Sequence, residues 1–80
     1  MTNDYLVIKF VEQQIDLFQI AAKSAKEAIE KSNEYNKPNK RYSLKFIYGE
    51  GKIALPNHIA NLFLKYFGLL FGKNEIKVDG

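Results

Sequence analysis

The longest apolar run in the chain lies near its C-terminal end, at residues 59–71 (IANLFLKYFGLLF). On a helix with about 100° of rotation per residue, one narrow stripe holds Asn61, Lys65, Gly68 and Gly72. The apolar residues fill the remaining arc of about 220°, whereas about 100° is enough to seat a surface helix on one sheet. The run therefore predicts a helix that carries more apolar surface than one small sheet readily hides.

The first third of the chain predicts two strands followed by a helix. Residues 5–11 (YLVIKFV) carry apolar side chains on both faces, which is typical of a central strand buried on two sides. Residues 15–21 (IDLFQIA) continue as a second strand, joined to the first by a hairpin, or as the end of one long bent strand. Ser24 and Glu27 match a capping box, so we expect a helix to begin directly after Ser24.

The middle of the chain predicts a second hairpin. Residues 41–48 (RYSLKFIY) alternate between apolar and polar side chains, which indicates a strand with one buried face. The side chains expected to point inward are Tyr42, Leu44, Phe46 and Tyr48. The sequence GEG at residues 49–51 suits a tight connection, because glycine adopts a positive φ without penalty, and residues 52–55 would form the return strand.

These elements define the expected fold. The second helix begins at Pro56 or Asn57, Gly72 fits its C′ position, and residues 75–78 (EIKV) form a short final strand. The order is ββαββαβ, or the ferredoxin-like βαββαβ if the first two strands are one. We expect a single α+β domain over residues 1–80, with a mostly antiparallel sheet and two helices on one face.

The composition argues against catalytic and metal sites. The chain has 80 residues, no cysteine and a single histidine, His58. Disulfides and thiolate metal sites are therefore excluded, and no Ser–His–Asp or Cys–His arrangement is indicated. Phosphate-binding loops need a glycine-rich turn followed by a helix and a lysine, and residues 49–51 lack both. We expect a protein that is not an enzyme and holds no cofactor or metal.

The sequence favours a cytoplasmic protein without a membrane partner. The absence of cysteine is compatible with the cytoplasm. The N-terminal MTNDYLVIKF lacks the basic region and apolar run of a signal peptide. Residues 59–71 are too few to span a bilayer and include a lysine.

A small domain without disulfides or metals often gains stability from a second chain. The wide apolar arc of residues 59–71 either buries itself fully in one chain or leaves a flank for a partner, of which a homodimer is the simplest. The candidate protein-interface residues are Leu62, Leu64, Gly68, Leu69 and Phe71. Gly68 costs about 1 kcal/mol relative to alanine inside a helix, so it is either a tolerated flaw or a place of close backbone approach.

Basic residues define an alternative function. The formal net charge is +3, and the cations of residues 37–52 are expected to cluster around one loop and one hairpin. These candidate nucleic-acid-binding residues are Lys37, Lys40, Arg41, Lys45 and Lys52. Aromatic residues lie among them, as in proteins that stack bases and neutralise phosphates, but the strand alternation places those rings in the core. The alternative is a small basic protein that binds RNA or DNA.

Residues 18–32 (FQIAAKSAKEAIEKS) resemble segments of many short phage and plasmid proteins, in which a strand ending in small residues leads into a Ser-capped, Glu-Ala-rich helix. The resemblance implies an accessory protein of a mobile element. The leading hypothesis is a non-enzymatic macromolecule-binding module that inhibits a host complex, such as a CRISPR effector, by steric masking. The positive net charge excludes acidic mimicry of DNA as its mechanism.

Overall fold

A hairpin of two long strands forms the middle of the molecule. The computed structural model describes residues 2–78 of the chain. Strand β1 (Asn3–Val11) pairs antiparallel with β2 (Gln14–Ala22) along its whole length. The turn between them places Gln13 in the left-handed region, at φ 62°. The first two strands are therefore separate strands of one hairpin, and the single bent strand is ruled out.

The remaining elements follow in chain order. They are α1 (Ala25–Ser32), β3 (Lys40–Ser43), β4 (Glu50–Pro56), α2 (Asn57–Phe71), a 3₁₀ turn (Gly72–Asn74) and β5 (Glu75–Ile76). Within the described residues, the sheet has five strands in the order β4-β1-β2-β3-β5, and all neighbouring pairs are antiparallel. The predicted α+β class and the order ββαββαβ are confirmed.

The two helices of the described chain lie on opposite faces of the sheet, so the prediction that both cover one face is wrong. Along β1, Leu6 and Ile8 belong to the core under α2, whereas Val7 between them belongs to the core under α1. Buried members of the α2 core are Leu6, Ile8, Ile15, Leu17, Tyr42, Leu44 and Ala60. Those of the α1 core are Val7, Phe18, Ile20, Ala22 and Ala28. Because the central strands are apolar on both sides, each face needs its own helix.

The capping box that predicts α1 is present. The Ser24 hydroxyl oxygen accepts a hydrogen bond from the Glu27 backbone N–H at 3.2 Å, and the Glu27 carboxylate accepts one from the Lys23 N–H at 3.2 Å. Glu27 also pairs with Lys31, one turn later, at 3.3 Å. The Lys23 N–H and the Lys31 ammonium together hold the pKa of Glu27 below its ordinary value.

The predicted second hairpin is wrong, because β3 and β4 do not pair. They lie on either side of the β1–β2 hairpin, and residues 44–49 cross from one side to the other. The crossing segment is tied to the hairpin turn: the Leu44 N–H donates to the Gln13 carbonyl and the Gln13 N–H donates to the Ile47 carbonyl, both at 2.9 Å. Strand β4 instead pairs with β1, where Leu55 lies opposite Leu6.

The early end of β3 changes which aromatic side chains are buried. Tyr42 and Leu44 are buried as predicted, at 1% and 2% exposure. Phe46 and Tyr48, which were also predicted to point inward, are 64% and 80% exposed. Regular alternation stops at Ser43, because the chain leaves the sheet there to cross the hairpin.

The end of α2 also differs from the prediction. Gly72 has φ −53°, in the right-handed region, and the chain continues directly into the 3₁₀ turn. The helix therefore ends without the left-handed glycine cap that its sequence suggests. The final strand is shorter than predicted and consists of Glu75–Ile76.

Candidate protein-interaction surface

Helix α2 carries one apolar stripe that packs on the sheet. The helix starts after Pro56, a residue with no N–H to leave unpaired, and runs without interruption to Phe71. Its sheet-facing positions recur at spacings of four and three residues. They are Ala60, Leu64, Phe67 and Phe71. Ala60 is fully buried, so the helix axis approaches the sheet most closely at its N-terminal end.

A second apolar stripe on α2 faces away from the sheet, and we call it the outer stripe. It consists of Ile59, Leu62, Phe63, Tyr66, Leu69 and Leu70, with exposures from 37% at Ile59 to 75% at Leu69. On a helical projection it is centred roughly 120° from the sheet-facing stripe. One helix therefore supplies a core face and an exposed apolar face side by side, with its polar residues on the third side.

A shallow groove of about 440 Å³ runs along the outer stripe. Its lining residues are Leu62, Phe63, Tyr66, Phe67, Leu70 and Phe71. The floor is fixed by a row of aromatic contacts: Phe67 stacks on buried Tyr42 at 5.9 Å between ring centroids, and lies 5.5 Å from Phe71 and 6.5 Å from Phe63. Burial raises the pKa of Tyr42, and the nearby Glu75 raises it further, so the hydroxyl beneath this row stays neutral.

The exposed apolar area is large for a domain of this size. With about 200 Å² as the full accessible surface of a large apolar residue, the exposed fractions of the outer stripe amount to about 700 Å². The largest apolar patch on a typical monomer is about 300–600 Å². A standard protein–protein interface buries about 800 Å² on each partner. The exposed apolar area of the outer stripe is thus close to the area that one partner buries in a standard interface.

The five predicted interface residues fall on three sides of α2. Leu62 and Leu69 lie in the outer stripe, at 62% and 75% exposure. Leu64 and Phe71 are half-buried and pack against the α2 core. Gly68 is exposed on the polar side, and a Cβ built there meets no atom within 4 Å. The structure therefore groups only the first two on one exposed apolar surface.

The rest of the outer stripe was missed by the sequence reasoning. The missed residues are Ile59, Phe63, Tyr66 and Leu70. An apolar arc this wide does not specify which of its sides rests on the sheet, and in the structure the sheet contacts one flank of it. Ala60 was the available signal, because a small side chain in a run of large ones marks the position of closest helix–sheet approach.

The predicted basic cluster is dispersed in the structure. Arg41 forms a two-pronged ion pair with Asp16, at 2.8 Å and 3.3 Å, and Asp16 is 7% exposed. The hydrogen bond that Arg41 donates to Asp16 raises the pKa of Arg41. Lys52 lies on β4, across the sheet from β3, and donates to the side-chain oxygen of Asn33 at the end of α1.

The three other predicted cations lie on the β3 side. Lys37 is exposed in the loop before β3, Lys40 begins that strand, and Lys45 is exposed just after it. Lys52 therefore lies apart from this group, and Arg41 is already paired with the carboxylate of Asp16. The five cations do not form one surface.

Residues 2–78 hold no cluster of three or more His, Cys, Asp or Glu side chains that could bind a metal ion. In the same residues, every buried side-chain nitrogen and oxygen has a hydrogen-bond partner. No helix in this part of the chain has the length and apolar character to cross a bilayer. The outer stripe of α2 is the most distinctive surface of the described chain.

Comparison with known proteins adds no relative. No protein-family model, no curated protein and no solved structure matches this chain.

Proposed function

We propose that this protein is a non-enzymatic protein-binding module that forms a homodimer through the outer stripe of α2. The observation that carries the proposal is the continuous apolar face of Ile59, Leu62, Tyr66 and Leu69, exposed beside a well-packed core. Removing about 700 Å² of such surface from water on each of two protomers, about 1,400 Å² in total, is worth roughly 35 kcal/mol before costs. Association costs about 4–15 kcal/mol, so the face is large enough to hold a pair together.

The spacing of the outer stripe suits a helix–helix contact. Ile59, Leu62, Tyr66 and Leu69 are separated by three, four and three residues, which is the seam spacing of packed helix pairs. We place the twofold axis perpendicular to α2, so that the two α2 helices run antiparallel and each stripe meets itself reversed. Leu62 and Tyr66 then lie near the twofold axis, and Ile59 lies against the C-terminal part of the stripe of the second copy.

Charge also favours a second copy as the occupant. The only Asp, Glu, Lys or Arg residue in the sequence of residues 57–71 is Lys65, which lies outside the outer stripe. A symmetric interface has to be complementary to itself, and an uncharged apolar face meets that condition without opposing like charges. A partner recognised by charge would find nothing to pair with along this stripe.

Light scattering after size-exclusion chromatography tests the dimer. The protomer mass is 9.2 kDa, so the wild-type protein should elute at twice that mass at micromolar concentration. Leu62→Glu places a charge in the seam and should give the 9.2 kDa protomer with an unchanged circular dichroism spectrum. Tyr48→Glu is the matched control, because it adds the same charge at a more exposed apolar residue outside the stripe. A wild-type mass of one protomer at high micromolar concentration would refute the proposal.

The narrower hypothesis is that the dimer masks a surface of a host complex, as an inhibitor of a CRISPR effector would. Its support is the small size and the resemblance of residues 18–32 to phage and plasmid proteins. A tagged protein should recover one host protein complex from the source cell, with or without nuclease, and the purified protein should inhibit the activity of that complex. Recovery that disappears with nuclease would favour nucleic-acid binding instead.

A further inference from the structure

The segment that crosses the β1–β2 hairpin presents a rigid turn to solvent. The Ile47 N–H donates to the Leu44 carbonyl at 3.1 Å, which closes a turn with Lys45 and Phe46 at its corners. Both ends of this turn are bonded to Gln13 of the hairpin. Leu44 is buried and Ile47 is half-buried, so the two corner residues project outward from a fixed base.

Two aromatic rings on this segment are exposed, because the chain leaves the sheet at Ser43. Phe46 is 64% exposed and Tyr48 is 80% exposed, which is unusual for large rings in a domain that needs its apolar residues for a core. The Phe46 ring centroid lies 6.3 Å from that of Phe71, at an interplanar angle of 45°. This contact orients the ring and leaves most of its surface open.

Grooves lie on both sides of Phe46. The first has a volume of about 480 Å³ and is lined by Ser43, Leu44, Lys45, Phe46, Leu70, Phe71, Lys73 and Asn74. The second has a volume of about 400 Å³ and is lined by Phe10, Phe46, Ile47, Tyr48 and Glu50. Within the described chain, the first groove has two ammonium groups and no carboxylate among its lining side chains, and the second has the carboxylate of Glu50.

We propose that these two grooves bind a short stretch of single-stranded nucleic acid. Two neighbouring bases stack on Phe46 and Tyr48, and Lys45 and Lys73 neutralise the phosphates beside the first groove. Exposed aromatic rings next to cations are the combination that single-strand-binding proteins use, and stacking on them tolerates any base. The site differs from the basic cluster predicted from the sequence, with which it shares only Lys45.

The shape of the grooves favours nucleic acid over an acidic peptide. Both grooves are open to solvent, and a flat base can stack on an exposed ring without being enclosed. An aliphatic anchor of a peptide gains most when a pocket surrounds it on several sides. Glu50 opposes an anion near Tyr48, so the phosphates are expected on the side of Lys45 and Lys73.

Fluorescence anisotropy with labelled oligothymidylate and oligouridylate of about 12 nucleotides tests the site at about 50 mM salt. The wild-type protein should bind both probes, and Tyr48→Ala and Phe46→Leu should each weaken binding by about 5- to 150-fold. Lys45→Gln should reduce the slope of affinity against salt by about one phosphate. Glu50→Gln should tighten binding, and Lys26→Gln, at an exposed position on α1, should leave it unchanged.

Several outcomes would overturn the proposal. The proposal fails if the wild-type protein binds neither probe at high micromolar concentration. It also fails if neither Phe46→Leu nor Tyr48→Ala weakens the binding. Equal binding of polyglutamate would indicate a charge effect without stacking. Tyr48→Ala keeps the test valid if Phe46→Leu disturbs the fold, because Tyr48 is 80% exposed. Leu62→Glu should bind the probes like wild type, which separates this site from the proposed dimer.

Discussion

Gly68 and Gly49 form a matched pair at which the effect of an added methyl group follows from the backbone alone. A Cβ built at either position meets no atom within 4 Å, so packing contributes nothing in the single protomer. Gly68 lies inside α2, whereas Gly49 has φ +88°, in the region that favours glycine. The two substitutions to alanine therefore differ in backbone conformation and in little else.

The expected effects have opposite signs. Gly68→Ala removes the helix-interior penalty of glycine and should stabilise the fold by about 1 kcal/mol. Gly49→Ala forces a side chain into the left-handed region and should destabilise it by about 1–2 kcal/mol. A change of about 1 kcal/mol corresponds to a shift of about 4–8 °C in melting temperature for a domain of this size.

Thermal unfolding followed by circular dichroism measures both shifts. The melts should be repeated at several protein concentrations, because dimer formation adds a concentration-dependent contribution. If Gly68→Ala lowers the melting temperature, or weakens self-association, a second chain approaches the backbone at Gly68 and the interface does not lie on the outer stripe alone. If Gly49→Ala stabilises the protein, the backbone argument is wrong.

Three further substitutions test the packing of the domain. Asp16→Asn leaves the half-buried Arg41 without its carboxylate and should lower the free energy of unfolding by about 1–3 kcal/mol, measured from the urea midpoint. A loss below about 0.5 kcal/mol would contradict the stabilising role of this ion pair. Ser24→Ala removes the α1 cap and should cost about 1 kcal/mol in the same assay, and no loss would show the cap to be dispensable. The pKa of Glu27 is lowered by folding, so its contribution is present above its unfolded pKa and is lost as the pH falls through its folded pKa. Acidification through that range should therefore lower the free energy of unfolding more for the wild-type protein than for Glu27→Gln. Equal losses in the two proteins would refute the contribution of Glu27 to stability.

The local signals in the sequence predict the elements well. The capping box at Ser24 locates the start of α1, and the apolar run locates α2 from Asn57 to Phe71. The two-sided apolar pattern of residues 5–11 predicts a central strand, which β1 is. These features depend on short-range hydrogen bonding and on burial, which neighbouring residues largely decide.

The arrangement of the elements depends on long-range choices that local patterns do not specify. The glycine connection at residues 49–51 predicts a strand after it but does not select the partner of that strand, and Leu55 and Ala54 pair with Leu6 and Val7 of β1. The same two-sided strands indicate that both faces of the sheet need a helix, a consequence that the predicted one-sided packing overlooked.

Only part of the candidate surface could be predicted, because local patterns do not specify how a helix is rotated on the sheet. An apolar arc of about 220° can rest on a sheet in several rotational positions, so periodicity alone does not choose which residues stay exposed. Leu62 and Leu69 lie on an exposed face, whereas Leu64 and Phe71 pack on the core. The exposure of Phe46 and Tyr48 follows from the crossing of residues 44–49, which the sequence pattern does not reveal.

An isotope-filtered NOE experiment on a mixture of labelled and unlabelled protein tests the central claim most directly. Ile59 and Leu69 are ten residues apart on one helix, or about 15 Å, which is too far for an NOE within a protomer. An antiparallel pair of α2 helices brings their methyl groups into contact across the interface, so cross-peaks between them are the predicted result. Their absence in a concentrated sample, with Leu69 as exposed as in the single protomer, would contradict the account.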